Sequence, residues 1–161
     1  MRKHARPIAV AAGLLVGGAT VGIAADAAAA KRGKSAKRDP TVHVIEHAVT
    51  DTVVQSGGGK DVTGNTLTFH NKVYDTADKK QVGTDQGFCM RISPADGSWE
   101  CFWTTFLARG QITVEGPYYD TKNSVLAITG GTGAYRDAHG EMNLNSRMGG
   151  KEYDFIFHLD S

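Results

Sequence analysis

From residue 41 onward, this sequence of 161 residues lacks any stretch of helical periodicity longer than two turns. That absence excludes a helical bundle, and it leaves no helices to connect parallel strands. The length is also too small for two ordinary domains. What the chain has instead are short runs of Val, Ile, Thr, Phe and Tyr between turn residues. Such runs predict an all-β domain.

A positively charged body is also missing. Residues 40–161 carry 10 Lys and Arg against 15 Asp and Glu, a formal net charge of −5, although the whole chain has a net charge of +1. Phosphate contacts need Lys and Arg on the surface. We therefore expect no nucleic acid among the partners of this protein.

Clustered metal ligands and a dinucleotide fingerprint are absent too. On one strand, His43 and His47 would lie about 13 Å apart, too far to share an ion, and the other histidines are scattered. In Leu126–Tyr135 an apolar strand precedes a glycine turn, but the third glycine of the nucleotide fingerprint is replaced by Arg136. We expect neither a metal nor another cofactor.

The N-terminal segment has the order of a secretory signal peptide: basic residues, an apolar run, then small residues. We predict that 1–30 is a Sec-type signal peptide, cleaved between Ala27 and Lys31, and that 31–40 is a basic flexible leader. A membrane anchor is the alternative, but glycines interrupt the apolar run. The mature domain is then 41–161, secreted and without a membrane span.

Eight short runs are predicted to be strands, and short turn-rich connections make them sequential antiparallel neighbours. They are 41–50, 66–74, 82–92, 99–107, 110–116, 124–130, 138–147 and 152–160. Eight strands can close into a barrel, lipocalin-like in shape, whose interior holds one small ligand. An eight-stranded β-sandwich would give the same pattern.

The first strand contains a candidate functional acid. Alternation places Glu46 on one face with Val42 and Val44, and places Ile45 and His47 on the other. The pattern does not decide which face is the inner one. On an inner face, burial would raise the pKa of Glu46, and such acids are typical of functional sites.

The two cysteines flank the predicted hairpin turn 93–97. If Ile92 faces Ser98, then Cys89 lies directly opposite Cys101. Directly opposed positions on neighbouring strands suit a disulfide, and secreted proteins usually pair their cysteines. We predict a cross-strand bridge, with a reactive free Cys89 as the alternative.

Several segments between Phe69 and Leu144 resemble, in order, the allene oxide cyclase family. They are Asn71–Tyr74, Lys79–Gly83, Gly87–Cys89, Val114–Tyr118 and Leu126–Tyr135. The dirigent proteins are similar in the Gly-Gly-Thr-Gly turn of the last segment, which is followed by Arg136 and Gly140.

The resemblance implies an eight-stranded barrel, a homotrimer and an elongated apolar cavity. It implies isomerisation of an unstable fatty-acid epoxide to a cyclopentenone, achieved largely by holding one substrate conformation. It also assigns residues: Glu46, on the inner face, and Tyr118 would be catalytic, and Cys89 would line the cavity. Phe69 and Trp103 are then candidate ligand-binding residues.

Two features depart from that family. Ala48 stands where the family has an asparagine, and Cys89 has a partner in Cys101. Three functions follow: a cyclase-like or dirigent-like barrel that steers a small hydrophobic or phenolic molecule, a non-catalytic ligand-binding module, or a structural barrel. In the structural barrel, side chains such as Phe69, Trp99 and Trp103 would close the cavity.

Overall fold

The structure is a computed structural model, and it describes residues 41–160. The predicted signal peptide (1–30) and leader (31–40) lie outside the described residues. Nine strands and one 3-10 turn follow in order: β1 (Thr41–His47), β2 (Thr52–Val54), β3 (Thr66–Tyr74), β4 (Gln81–Ser93), β5 (Ser98–Leu107), β6 (Gly110–Tyr119), β7 (Ser124–Gly131), the turn (Gly133–Tyr135), β8 (Gly140–Arg147) and β9 (Glu152–Leu159).

The strands form one closed antiparallel sheet. From β3 to β9 each strand pairs with its sequence neighbour, and β1 closes the ring by pairing with both β9 and β3. Along one edge of β3, β1 pairs with the C-terminal residues 72–74 and β2 pairs with the N-terminal residues 66–68. Together, β1 and β2 therefore occupy one strand position in the ring. The predicted strand 41–50 is therefore broken. The prediction of an eight-stranded antiparallel barrel is confirmed, and the sandwich is excluded.

The core fills the inside of the barrel, because alternate residues of every long strand point inward. The buried members are Val44, Val73, Cys89, Trp99, Cys101, Trp103, Ile112, Val114, Leu126, Ile128, Met142, Leu144, Phe155, Phe157 and Leu159. One glycine makes this packing possible: a Cβ on Gly87 would overlap the backbone and Cβ of Trp103 on the facing strand. The indole therefore packs directly over a strand that has no side chain there.

The pairing of β4 with β5 follows the predicted register over most of its length, and it places Cys89 opposite Cys101. The predicted pair Ile92–Ser98 is wrong. A bulge near the turn inserts one residue, so Ser93 pairs with Ser98 instead. Bulges of this kind increase the local twist where a hairpin ends.

The outer face of β4 and β5 carries an apolar patch. Its members are 40–50% exposed: Phe88, Met90, Ile92 and Phe102. Phe88 and Phe102 are directly opposed, with ring centroids 6.3 Å apart. Contiguous exposed apolar groups of this kind mark interaction surfaces. Among residues 41–160, no helix is long and apolar enough to cross a membrane.

Candidate functional site

A cavity of about 50 Å³ lies inside the barrel, in the half that carries the β4–β5 turn. Its wall is mostly apolar and aromatic, and consists of Glu46, Asp51, Leu67, Phe69, Cys89, Cys101, Trp103, Tyr118, Leu144, Tyr153 and Phe155. All five residues predicted for the site, including Cys89, are in this wall. The barrel therefore brings together residues that are up to 109 positions apart in the chain, from Glu46 to Phe155.

Glu46 is on the inner face of β1 and is only 4% exposed. The structure thus decides between the two faces that alternation left open. On the outer face, His43 and His47 instead bond the side chains of Asp154 and Asp78.

An asparagine from β3 holds the Glu46 carboxyl. Asn71 Nδ2 donates to Glu46 Oε1 at 2.6 Å and to Asp51 Oδ1 at 2.8 Å. Its amide oxygen accepts from the main-chain nitrogens of Val49 (3.1 Å) and Thr50 (2.9 Å), in the break between β1 and β2. Asn71 therefore satisfies backbone groups that leave the sheet and fixes Glu46 at the same time.

A second carboxyl, Asp85 of β4, is fully buried beside Glu46. Its Oδ1 accepts from the main-chain nitrogen of Asn71 at 3.1 Å, and its Oδ2 has no hydrogen-bond partner among the described residues. Glu46 is therefore not the only carboxyl well inside the barrel. Sequence reasoning did not identify Asp85, because it did not extend the inward alternation of β4 from Cys89 and Gly87 back to this position.

Burial has a strong effect on both acids. Loss of solvent raises the pKa of Glu46 well above its ordinary value, and the charges of Asp85 and Asp51 raise it further, while the hydrogen bond from Asn71 opposes the shift. Burial likewise raises the pKa of Asp85 to about 7, against the lowering effect of the Asn71 main-chain hydrogen bond. Glu46 therefore keeps its proton at neutral pH, whereas Asp85 titrates in that range.

Two tyrosines lie next to each other in the cavity wall. The hydroxyls of Tyr118 (β6) and Tyr153 (β9) are 2.9 Å apart, and the rings meet edge to face. Burial raises the pKa of both, and for Tyr118 the hydrogen bond with Tyr153 adds to the effect. Both hydroxyls therefore stay neutral, and the one that accepts the mutual bond has its own proton free to donate to a bound group. Tyr153 was not among the predicted site residues.

Aromatic rings form most of the remaining wall. Phe69 meets Trp103 edge to face, with centroids 6.1 Å apart, and Trp103 lies 5.4 Å from Phe155. The buried indole nitrogen of Trp103 has no hydrogen-bond partner within residues 41–160. Trp99, which was expected with these rings, is buried elsewhere: its Nε1 donates to Asp120 at 2.9 Å.

Cys89 and Cys101 form a disulfide, with their Cα atoms 4.0 Å apart, as predicted. Both half-cystines are nearly fully buried and line the cavity. The bridge ties β4 to β5 from the inside and contributes sulfur to the wall. In this state Cys89 has no thiol, so the alternative of a reactive free cysteine does not apply.

One side-chain cluster on the outside of the barrel has donors that a divalent cation accepts. His47, Asp78 and Glu152 place one ligand atom each within 4.8 Å of one another, the sole such group in the described part of the chain. These donors already have partners: His47 Nε2 is 2.7 Å from Asp78, and the Arg147 guanidinium is 3.8 Å from Glu152. The cluster faces away from the cavity, so it supplies no ligand there.

The barrel and its acid-lined interior define a class of small closed β-barrels with an internal site, and comparison with known proteins identifies the family. The family model for allene oxide cyclase matches residues 44–160. The chain belongs to the allene oxide cyclase family. The predicted resemblance is thereby confirmed over nearly the whole described domain.

Solved structures share the fold. A pyocyanin demethylase is 25% identical, with a TM-score of 0.62, and the match covers 72% of this chain and 98% of that one. A pterocarpan synthase dirigent protein is 23% identical, with a TM-score of 0.61 and coverage of 75% and 90%. An exo-specific intermolecular Diels-Alderase is 15% identical, with a TM-score of 0.59 and coverage of 73% and 95%.

Proposed function

We propose that this protein binds a small hydrophobic or phenolic molecule inside the barrel and steers its cyclisation or coupling, in the manner of a cyclase or a dirigent protein. The observation that carries the proposal is Glu46, a buried acid in a mostly apolar and aromatic cavity. An isolated buried acid costs free energy, so its presence there favours a functional role. Family membership supports small-molecule chemistry in such barrels, and so do the demethylase, the dirigent protein and the Diels-Alderase that share the fold.

The cavity would act mainly by orientation. Rigid rings on both sides restrict a ligand to few conformations, which lowers the entropy cost of reaching one product. Tyr118 and Tyr153 offer fixed hydroxyls from one side, and Glu46 faces the same space. Polar groups arranged in advance around an apolar site stabilise charge that develops during reaction.

The size of the cavity favours a second candidate. About 50 Å³ is well below the roughly 300–1,000 Å³ that encloses a typical ligand. Without movement of Phe69 or Tyr118, both partly exposed, only a few waters would fit. A structural barrel closed by its own side chains is therefore the alternative function.

Tryptophan fluorescence separates the two functions. We expect a planar aromatic probe, pyocyanin, or a medium-chain fatty acid to change the emission of Trp103, which lines the cavity. Trp103→Phe should abolish the saturable change, whereas Trp99→Phe, a matched control outside the cavity, should retain it. If neither probe gives a saturable change in the unmodified protein, or if the change survives in Trp103→Phe, the ligand-binding proposal fails.

Export and assembly complete the proposal. The order of residues 1–30 supports secretion, and an internal disulfide suits an oxidising compartment. Mass spectrometry of the exported protein should give an N-terminus between Ala27 and Lys31; retention of residues 1–26 would contradict export by this route.

We also propose that the protein is a homotrimer and that the interface between its subunits covers part of the apolar patch on β4 and β5. Light scattering at micromolar concentration should report three copies. Phe102→Glu, within the patch, should dissociate them, while Val125→Glu, at an exposed apolar position on β7, should not. A monomeric unmodified protein would contradict the proposal.

A further inference from the structure

Asp85 is a buried acid that the proposed function does not use. It is 0% exposed, and its one described hydrogen bond through Oδ1 comes from the backbone of Asn71. Its second oxygen, Oδ2, is shielded from solvent and has no hydrogen-bond donor among residues 41–160. A buried carboxylate oxygen without a donor costs free energy. Something must therefore supply a proton to it.

Glu46 is in position to supply that proton. Asn71 brings the two carboxyl side chains together, because its Nδ2 donates to Glu46 Oε1 at 2.6 Å and its main-chain nitrogen donates to Asp85 Oδ1 at 3.1 Å. Two ionised carboxylates held together away from solvent repel each other, so one of them keeps its proton. Within residues 41–160, no Lys, Arg or His nitrogen lies within 4.0 Å of either carboxyl to offset two negative charges.

We propose that Glu46 and Asp85 form one carboxyl pair sharing a single proton, in which Asp85 is the positioning residue and Glu46 faces the ligand. The proposal rests on the proposed ligand-binding role of Glu46, because Asp85 does not line the cavity. The proton lies on Glu46, and its hydrogen bond is accepted by Asp85. Asn71 fixes the pair by bonding both residues.

Such a pair can accept a proton from a ligand. A phenol or another acidic O–H that bonds to Glu46 transfers its proton to one oxygen of Glu46, while the other oxygen passes the shared proton to Asp85. One O–H bond breaks and one forms at each transfer, and the negative charge moves from Asp85 to the ligand oxygen. The reverse transfers restore the pair. The class of ligand is therefore a small aromatic or enolic molecule with an acidic hydroxyl.

Other polar groups surround the pair without replacing Asp85. Asp51, between β1 and β2, is exposed and is separated from Glu46 by the Asn71 amide. Tyr118 and Tyr153 reach the cavity from β6 and β9 and are bonded to each other. Asp51 provides a matched control, because it is a carboxyl near Glu46 that does not share the proton.

Infrared and carbon-13 NMR titrations of the resting full-length protein test the pair without any ligand. We expect the carbonyl band of a protonated acid to persist above pH 8, and Glu46→Gln to abolish it. In Asp85→Asn, the titration midpoint of Glu46 should fall, because the neighbouring negative charge is gone. Asp51→Asn should lower that midpoint by less. A merely structural role for Asp85 would leave the midpoint where it is.

Two results would overturn the proposal: a Glu46 midpoint unchanged in Asp85→Asn, or an equal fall in Asp51→Asn. Circular dichroism verifies that each variant is folded. If Asp85→Asn does not fold, the unmodified protein still decides, because coupled groups must each show both inflections in their carboxyl resonances. Independent single inflections would refute the pair. The ligand-binding proposal fails by a different measurement, the tryptophan titration.

Discussion

Replacing Asp85 with asparagine should change how the stability of the barrel depends on pH. Burial raises the pKa of Asp85 in the folded protein to about 7, from an ordinary value of 3.8. Between these values the folded state keeps a proton that the unfolded chain has released. Proton uptake on folding makes the free energy of unfolding fall as pH rises, the reverse of the usual carboxylate case. Asp85→Asn removes this dependence.

The size of the effect follows from the two pKa values. Each pH unit between 3.8 and about 7 is worth about 1.4 kcal/mol, so Asp85 accounts for a loss of about 4 kcal/mol in the free energy of unfolding. We compare the free energy of unfolding of Asp85→Asn with that of the unmodified protein. Between pH 4 and pH 8 this difference should change by about 4 kcal/mol in favour of the variant. Removal of the Asp85 charge also lowers the pKa of Glu46, which acts in the same direction.

Urea unfolding at several pH values, followed by circular dichroism, measures this difference. Comparing the variant with the unmodified protein at each pH cancels the constant effect of an asparagine in the core. Asp137→Asn is the control, since that side chain is 88% exposed and should give a difference that does not vary with pH. A difference for Asp85→Asn that is equally flat from pH 4 to pH 8 would refute the reasoning.

Three further substitutions test the packing of the barrel. Joint replacement of Cys89 and Cys101 by serine should cost about 3 kcal/mol, because the bridge closes a loop with a sequence separation of 12; an unchanged urea midpoint would contradict this. Tyr118→Phe should cost about 1 kcal/mol by leaving the partner hydroxyl unpaired, and a neutral result would mean that water replaces the bond. Gly87→Ala should cost about 1–3 kcal/mol through overlap with the facing strand, whereas Gly130→Ala, where a Cβ fits, should cost clearly less.

The barrel was predictable because its strands are short, alternating and connected by recognisable turns. The register of β4 and β5 followed from the hairpin turn between them, which placed Cys89 opposite Cys101. It failed only at Ile92, because alternation of residue types does not reveal the extra residue of a bulge. Strand 41–50 was predicted as continuous because Val49 and Thr50 have high β-propensity. The side chain of Asn71, from a strand distant in sequence, satisfies their main-chain nitrogens and breaks the pairing.

The candidate site was predicted in part. Family resemblance placed Glu46 and Tyr118 on the inside, where the structure has them. Alternation along the strands could have identified both Asn71 and Asp85 as inward residues, because Asn71 lies two positions after Phe69 and Asp85 lies two positions before Gly87. Alternation could not have predicted that they lie beside Glu46, because this depends on how β1 and β4 are placed on the two sides of β3 in the closed sheet.

The break in the first strand position leaves a short free edge at β2. Strand β2 pairs with β3 alone among the described strands, so the other side of Thr52–Val54 presents unpaired main-chain groups. Val53 and Val54 are 45% and 59% exposed there. Such edges are templates on which a second chain can add a strand, but three residues extend only about 10 Å. A lysine in place of Val53 would therefore block edge-to-edge growth at this segment.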